Sequence, residues 1–149
     1  GMMKGKRIQS ASDRMYTLKS VIDSSVRGQT DIGVLATRDA KSSAIMVWNY
    51  HDEDKLDAGA QVQVTVNNIP AKSVKLTQYR IDQEHSNSYE VWKKMGSPQQ
   101  PTAAQISTLE KAGALQTMGK VQTIKPVGGN AVINISLPRQ AVTLLKMDW

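Results

Sequence analysis

The sequence at residues 79–98 is Tyr-Arg-Ile-Asp-Gln-Glu-His-Ser-Asn-Ser-Tyr-Glu-Val-Trp-Lys-Lys-Met-Gly-Ser-Pro. This stretch contains one of the two histidines, two of the four tyrosines and one of the three tryptophans of the chain. Residues 74–81, which lead into it, alternate between apolar and polar side chains, as in a strand with one face on a core and the other in water. We therefore expect a strand that ends in a polar corner at Asp82.

A short helix is predicted after this corner. Three large side chains recur every three residues, as on one face of a helix: Tyr89, Trp92 and Met95. Asn87, with Glu90 three residues later, provides an N-cap and a capping box. Gly96 tolerates the left-handed conformation that follows a helix, and Pro98 lacks the N–H that a continuing helix needs.

A second helix is predicted to follow at once. Thr102 provides its N-cap, with Gln105 at the third helical position, and Gly113 ends it. Together the two helices form a helical insertion at about residues 87–113.

The rest of the chain is typical of antiparallel strands. Runs at 32–37 and 44–50 are predicted to form a hairpin, with the second run central in its sheet. In residues 61–66 valine alternates with polar residues, which predicts a strand with one solvent-exposed face. Runs at 131–137 and 141–147, joined by a tight corner at 138–140, are compatible with a hairpin. The β-branched residues at 16–27 indicate one or two further strands.

These patterns predict an all-β fold, an antiparallel β-sandwich of about seven to nine strands with the helical insertion between two of them. A chain of 149 residues is long enough to bury a core without disulfides, and it contains no Cys. We expect a leading segment or linker at 1–15 and a single sandwich domain at 16–149.

The composition also limits the kinds of partner that we expect the protein to bind. The net charge of +6 comes from Lys and Arg spread as single or paired residues rather than gathered in a stripe, so nucleic-acid binding is not expected. No apolar run is long enough to span a bilayer, and no signal peptide is evident, so we expect a soluble protein with no membrane partner. The sequence leaves open whether its compartment is the bacterial cytoplasm or the periplasm.

The stretch at 79–98 resembles the C-terminal β-domain of family 39 glycoside hydrolases, the β-xylosidases. The resemblance rests on Tyr-Arg-Ile-Asp at 79–82, His-Ser-Asn at 85–87, the following Tyr89 and Trp92, and Met-Gly-Ser-Pro at 95–98. It extends to Leu-Ala-Thr-Arg-Asp at 35–39, Val-Trp-Asn-Tyr at 47–50 and Leu-Pro-Arg-Gln at 137–140. It covers most of residues 30–149.

The resemblance implies a non-catalytic accessory domain that packs on a catalytic (β/α) barrel, in cis or in trans. The resembled enzymes take their two catalytic glutamates from barrel strands, one of them in an Asn-Glu-Pro context, and this chain has neither that tripeptide nor a βα pattern. We therefore expect no catalytic residues and no activity from this chain alone.

Other chemistries are not favoured by the residues. The Gly-x-Ser-x-Gly motif is absent, and His51 and His85 lie in separate loops without a second close ligand of a zinc site. The acidic loop at 51–57 lacks the spacing of a calcium-binding loop. We predict no cofactor and no metal.

The residues of the corner have two interpretations. Arg80, Asp82, His85, Asn87, Tyr89 and Trp92 form either a structural hub or an interface. As a hub, His85 ties down the corner through its ring nitrogens. As an interface, it reaches another module or supports a homo-oligomer, since loops on a rigid scaffold commonly carry recognition.

An independent carbohydrate-binding module is the alternative function. Such modules bind plant cell-wall saccharides such as xylan on exposed aromatic rings. The rings to consider are Trp48, Tyr50 and Trp149, together with Trp92. Trp48 and Trp92 are predicted to be packed, whereas Trp149 at the terminus is free to adopt either role.

Overall fold

The computed structural model describes residues 1–53 and 59–149 of the chain. This part of the chain forms nine strands and three helices. In chain order they are β1 (Lys6–Ile8), α1 (Leu18–Ser24), β2 (Asp31–Arg38), β3 (Ser42–Tyr50), β4 (Ala60–Val66), β5 (Val74–Ile81), α2 (Ser88–Lys94), α3 (Ala103–Gly113), β6 (Gln116–Thr117), β7 (Gln122–Ile124), β8 (Ala131–Leu137) and β9 (Ala141–Asp148). Most of the acidic loop at 51–57, from residue 54 onwards, lies outside the described residues.

The strands form two antiparallel sheets. The larger sheet has seven strands in the order β1-β2-β3-β9-β5-β6, with β7 also paired to β5. The smaller sheet consists of β4 and β8. The protein is therefore an all-β sandwich with a helical insertion, and the predicted fold class is confirmed.

One hydrophobic core lies between the sheets. The larger sheet contributes Val47, Leu145 and Met147, and the smaller sheet contributes Ile135 and Leu137; all five side chains are buried. Burying a side chain of this size contributes roughly 1.5–3 kcal/mol. The alternating patterns of β8 and β9 put every second residue into this core, so hydrophobic periodicity fixes which side of each strand faces inward.

Of the two predicted hairpins, one is present in the structure and the other is not. The hairpin of β2 and β3 is confirmed, and β3 lies between β2 and β9 as a central strand. The hairpin of β8 and β9 is wrong, because β8 pairs with β4 whereas β9 pairs with β3 and β5. Leu137 and Ala141 are both fully buried, so the short connection crosses from one layer to the other. A connection that crosses between the sheets is compatible with the same pattern of apolar residues as a hairpin.

The predicted strands at 16–27 are also wrong, since this segment contains α1. The Thr17 side chain accepts a hydrogen bond from the Ser20 backbone N–H at 3.1 Å, which caps the helix. Lys19 and Asp23, four residues apart, form an ion pair at 2.5 Å across one turn. These local interactions override the weak strand preference of the β-branched residues.

Both helices of the insertion begin where the sequence predicts. The Asn87 side chain accepts a hydrogen bond from the Glu90 N–H at 3.2 Å and caps α2. Thr102 and Gln105 form the complete capping box of α3, which ends at Gly113. Within the described residues, no helix is long and apolar enough to cross a membrane.

The first residues of the chain pack on the sandwich. Lys6–Ile8 pairs with the end of β2 as the short strand β1, and Ile8 contacts the core. Farther along, the Ile32 N–H donates to the carbonyl of Arg14 at 3.1 Å. Much of the segment at 1–15 is thus joined to the larger sheet.

Candidate functional site

The carboxylate of Asp82 organises the polar corner after β5. Its Oδ1 accepts hydrogen bonds from the backbone N–H groups of Glu84 and His85, both at 2.8 Å, and from His85 Nδ1 at 2.9 Å. The Asp82 N–H in turn donates to the carbonyl of His85 at 3.1 Å. Residues 82–85 therefore form a closed turn around one carboxylate that is only 8% exposed.

Arg80 connects this turn to the other sheet. Its side chain is 4% exposed, with Nη1 3.5 Å from Asp82 Oδ2 and Nη2 donating to the Ser136 carbonyl on β8 at 2.9 Å. Arg80 Nε has no hydrogen-bond partner in the described part of the chain. Because two buried charges compensate each other here, removing either one leaves the other unpaired.

The hydrogen bonds determine the charge state of Asp82. Burial raises the pKa of Asp82, but hydrogen bonds from the His85 side chain and from the backbone of Glu84 and His85 outweigh it and hold that pKa below its usual value. The carboxyl group is therefore ionised at neutral pH, which also suits its pairing with Arg80.

His85 contributes one ring nitrogen to the turn and directs the other away from it. Because the ionised Asp82 accepts from Nδ1, that nitrogen bears a proton and Nε2 is the acceptor of the neutral ring. Within the described residues Nε2 has no hydrogen-bond partner, and the side chain is 29% exposed. His85 is thus a positioned side chain with one open polar atom.

The neighbouring polar residues are occupied within the corner. Asn87 Nδ2 donates to the Asp82 carbonyl at 2.9 Å, while its oxygen caps α2. Ser86 Oγ donates to the Arg80 carbonyl at 2.7 Å and accepts from the Gln116 N–H at 2.8 Å. Both side chains hold the strand, the turn and the helical insertion together.

The aromatic side chains of α2 stack on each other. Tyr89 and Trp92 have ring centroids 5.7 Å apart and planes 25° apart, and Trp92 Nε1 donates to the Pro98 carbonyl at 3.0 Å. Lys93 Nζ lies 4.9 Å from the centre of the Tyr89 ring. The expected packing holds for the half-buried Trp92, whereas Tyr89 is 61% exposed.

The other three rings considered for saccharide binding lie in two places. Trp48 and Tyr50 are on the outward face of β3, with Trp48 half-buried across Gly33 and Tyr50 46% exposed. Trp149 is attached to the β2–β3 turn: its Nε1 donates to the Ala40 carbonyl at 3.1 Å, and the Arg38 guanidinium lies 5.8 Å from its ring centre.

His51 is the polar residue whose role the sequence did not reveal. It is 2% exposed, its Nε2 lies 3.1 Å from the Arg27 carbonyl, and its Nδ1 accepts from the Glu53 N–H at 3.0 Å. Its own carbonyl accepts a hydrogen bond from Gln140 Nε2. The sequence suggested only that His51 lies in a polar loop, although its position directly after β3, the most apolar strand, was a sign of burial.

In the described parts of the chain, no group of three or more His, Cys, Asp or Glu side chains is arranged to hold a metal ion. The titratable groups of the corner form one buried ion pair and one closed turn.

The fold and the corner define a class, the β-sandwich domains that carry a helical insertion after a polar turn. The family model for Glycosyl hydrolases family 39 matches residues 7–125, and the chain belongs to this family.

Several solved structures have a similar fold, and they include a GH39 enzyme. A GH39 enzyme from Xanthomonas axonopodis pv. citri has a TM-score of 0.67 at 17% identity, covering 77% of this chain and 25% of that one. A monomeric β-xylosidase from Caulobacter crescentus has a TM-score of 0.59 at 23% identity, covering 77% and 26%. A bacterial orthologue of human α-L-iduronidase has a TM-score of 0.60 at 19% identity, covering 80% and 22%. This chain therefore spans about a quarter of the length of the structures it resembles.

Proposed function

We propose that this chain is a non-catalytic accessory domain of a xylosidase-like glycoside hydrolase, which packs on a catalytic barrel and supports its stability. The observation that carries the proposal is the extent of the match. The chain belongs to a glycoside hydrolase family, yet it spans only about a quarter of the length of its structural neighbours. An enzyme of this family needs two carboxyl groups placed across a glycosidic bond. In the corner, Asp82 is engaged with Arg80 and His85 instead.

The open atom of His85 is the polar contact proposed for the barrel. Asp82 holds the ring in one orientation, so Nε2 can meet a donor on a partner with little loss of side-chain entropy. Asn87 and Ser86 act within the domain and support this position. Trp92 and Tyr89 stabilise the helix that flanks it.

The test uses the Caulobacter crescentus β-xylosidase and a truncated form without the quarter that this chain matches. The purified 149-residue chain alone should not hydrolyse an aryl β-xyloside. Fusing it to the truncated enzyme should restore part of the lost thermal stability. Turnover by the isolated chain that disappears when one carboxylate is mutated would establish an enzyme instead. A fusion no more stable than the truncated enzyme would contradict the accessory role.

A carbohydrate-binding module is the second candidate, favoured by one observation. Trp48 and Tyr50 lie two residues apart on the outward face of β3, where rings can stack on sugars. Titration calorimetry with xylo-oligosaccharides tests this, using Trp48→Ala to remove the ring and Tyr89→Ala as a control on α2. Millimolar or tighter binding that only Trp48→Ala abolishes would favour this function over the accessory one.

A further inference from the structure

The outward face of the larger sheet is apolar at one end. Strands β2, β3, β9 and β5 are neighbours, and their register places residues of the outward face in rows across the sheet. Two adjacent rows contain Gly33, Trp48, Val142 and Ile81, and Leu35, Met46, Leu144 and Tyr79. None of these eight positions, called here the apolar field, carries a charged side chain.

A groove of about 340 Å³ crosses the apolar field. Met46, Val142 and Leu144 contribute to its lining, and Leu115 and the first residues of the chain, including Met2 and Met3, also line it. The first residues of the chain therefore lie against this face of the sheet.

The smaller sheet shows what an outward face exposed to water looks like in this protein. Two of its cross-strand pairs there are polar, with Gln61 Nε2 donating to Ser136 Oγ at 3.2 Å and Gln63 Nε2 to Asn134 Oδ1 at 3.3 Å, and Val132 is the exposed apolar residue beside them. The larger sheet becomes polar only beyond the apolar field, where Lys146 pairs with Asp148 at 2.9 Å. The apolar field thus differs from the solvent-facing surfaces of the same domain.

Helix α1 adds exposed apolar side chains at the same end of the larger sheet. Leu18 is 77% exposed and Ile22, four residues later, is 73% exposed. The segments around the helix are fixed to the ends of β2 and β3, since the Tyr16 N–H donates to Asp31 Oδ1 at 2.7 Å and the Val26 N–H to Asp52 Oδ2 at 3.1 Å. Both apolar features are therefore presented at one end of the sandwich.

The size of the apolar field indicates what kind of partner covers it. With strands about 4.8 Å apart and same-face residues about 6.8 Å apart, eight positions span roughly 260 Å². A stable complex of separate proteins buries about 800 Å² on each partner, so this area is too small for a dimer of this chain. A module tethered on the same polypeptide is held at a high effective concentration, and a small interface is then sufficient.

We propose that the apolar field is the docking surface for the catalytic module of a longer family 39 chain, seated on the groove and joined to this domain in cis. This inference rests on the proposed function and adds the face through which it operates. The partner surface is apolar, since a charged group placed over the uncharged rows would lose its hydration without gaining a counter-charge.

The experiment compares two matched substitutions in one fusion protein. The truncated Caulobacter crescentus β-xylosidase described above is joined to residues 1–149 of this chain. Three versions of this chain are used: the wild type, Ile81→Asp and Val132→Asp. Ile81 is 44% exposed in the apolar field and Val132 is 54% exposed on the smaller sheet, so both substitutions add a carboxylate to a strand surface. Hydrogen exchange is measured on each fusion and on each isolated chain, where native-like exchange in the core strands shows that the variant folds.

In the wild type and in Val132→Asp, fusion should slow amide exchange about tenfold or more in the parts of β3 and β9 that belong to the apolar field. In Ile81→Asp, fusion should not slow this exchange. Protection by fusion at another surface, unchanged by Ile81→Asp, would overturn the docking face while leaving the accessory function intact. A wild-type fusion with no protection anywhere, whose two parts unfold independently, would overturn both.

Discussion

The ring nitrogen Nδ1 of His85 lies 2.9 Å from Oδ1 of Asp82, and this oxygen also accepts hydrogen bonds from two backbone N–H groups. The pair shows how one carboxylate can fix both a turn and the orientation of an imidazole. The centre of the corner is thus Asp82, and His85 is bound to it at the edge with one nitrogen open.

Removing the Asp82 carboxylate should destabilise the domain strongly. In Asp82→Ala the buried Arg80 loses its counter-charge and the turn loses its shared acceptor, so we expect the free energy of unfolding to fall by about 3 kcal/mol. Urea unfolding at pH 7 measures this. Asp13→Ala, which removes an exposed carboxylate, is the control and should change stability by less than about 0.5 kcal/mol. Equal effects of the two substitutions would contradict the central role of Asp82.

The stabilisation by Asp82 should depend on pH. Since its pKa is lower in the folded protein than its usual value, the ionised group stabilises the fold above that usual value, and this contribution is lost as the pH falls through the folded pKa. The difference in unfolding free energy between wild type and Asp82→Asn should therefore be largest near neutral pH and shrink below about pH 4. Urea unfolding from pH 7 to pH 3 checks this, and a difference that stays constant over the range would count against it.

The two histidines should respond differently to truncation. His51 is buried with both ring nitrogens within hydrogen-bond distance of the backbone, so His51→Ala should cost about 2–4 kcal/mol. His85 is partly exposed and makes one side-chain hydrogen bond, so His85→Ala should cost about 1 kcal/mol or less. Thermal and urea unfolding of both variants provide the comparison. A larger loss for His85→Ala would make His85, rather than His51, the structural histidine.

Gly33 should tolerate no side chain while Trp48 is present. A Cβ atom at position 33 would overlap the indole of Trp48, whereas one at Gly28 would meet only the Tyr16 hydroxyl at 3.6 Å. Gly33→Ala should therefore cost about 1–3 kcal/mol, and Gly28→Ala should be near neutral. A double-mutant cycle with Trp48→Ala measures the coupling. If Gly33→Ala costs as much in the Trp48→Ala background, the contact is not its cause.

The local patterns of the sequence were sufficient to locate most of the helices and strands. Side-chain alternation identified β4 and β5, and the runs at 131–137 and 141–147 identified β8 and β9. The spacing of Asn87 from Glu90 and of Thr102 from Gln105 located both helices of the insertion. Helix α1 was mistaken for strand because strand preference is weak, and a capping threonine with one ion pair reverses it.

The sequence by itself determined which residues face inward and which carry polar groups, because burial of alternate side chains is a property of each strand alone. Only the tertiary structure decided the partners of the strands. A short connection such as the one between Leu137 and Ala141 can fold back as a hairpin or cross to the opposite sheet with the same pattern. It also decided the roles of the polar residues, because His51 and His85 differ only in what surrounds them. The burial of His51 and the composition of the outward face of the larger sheet arise from contacts between segments far apart in the chain, which no local pattern contains.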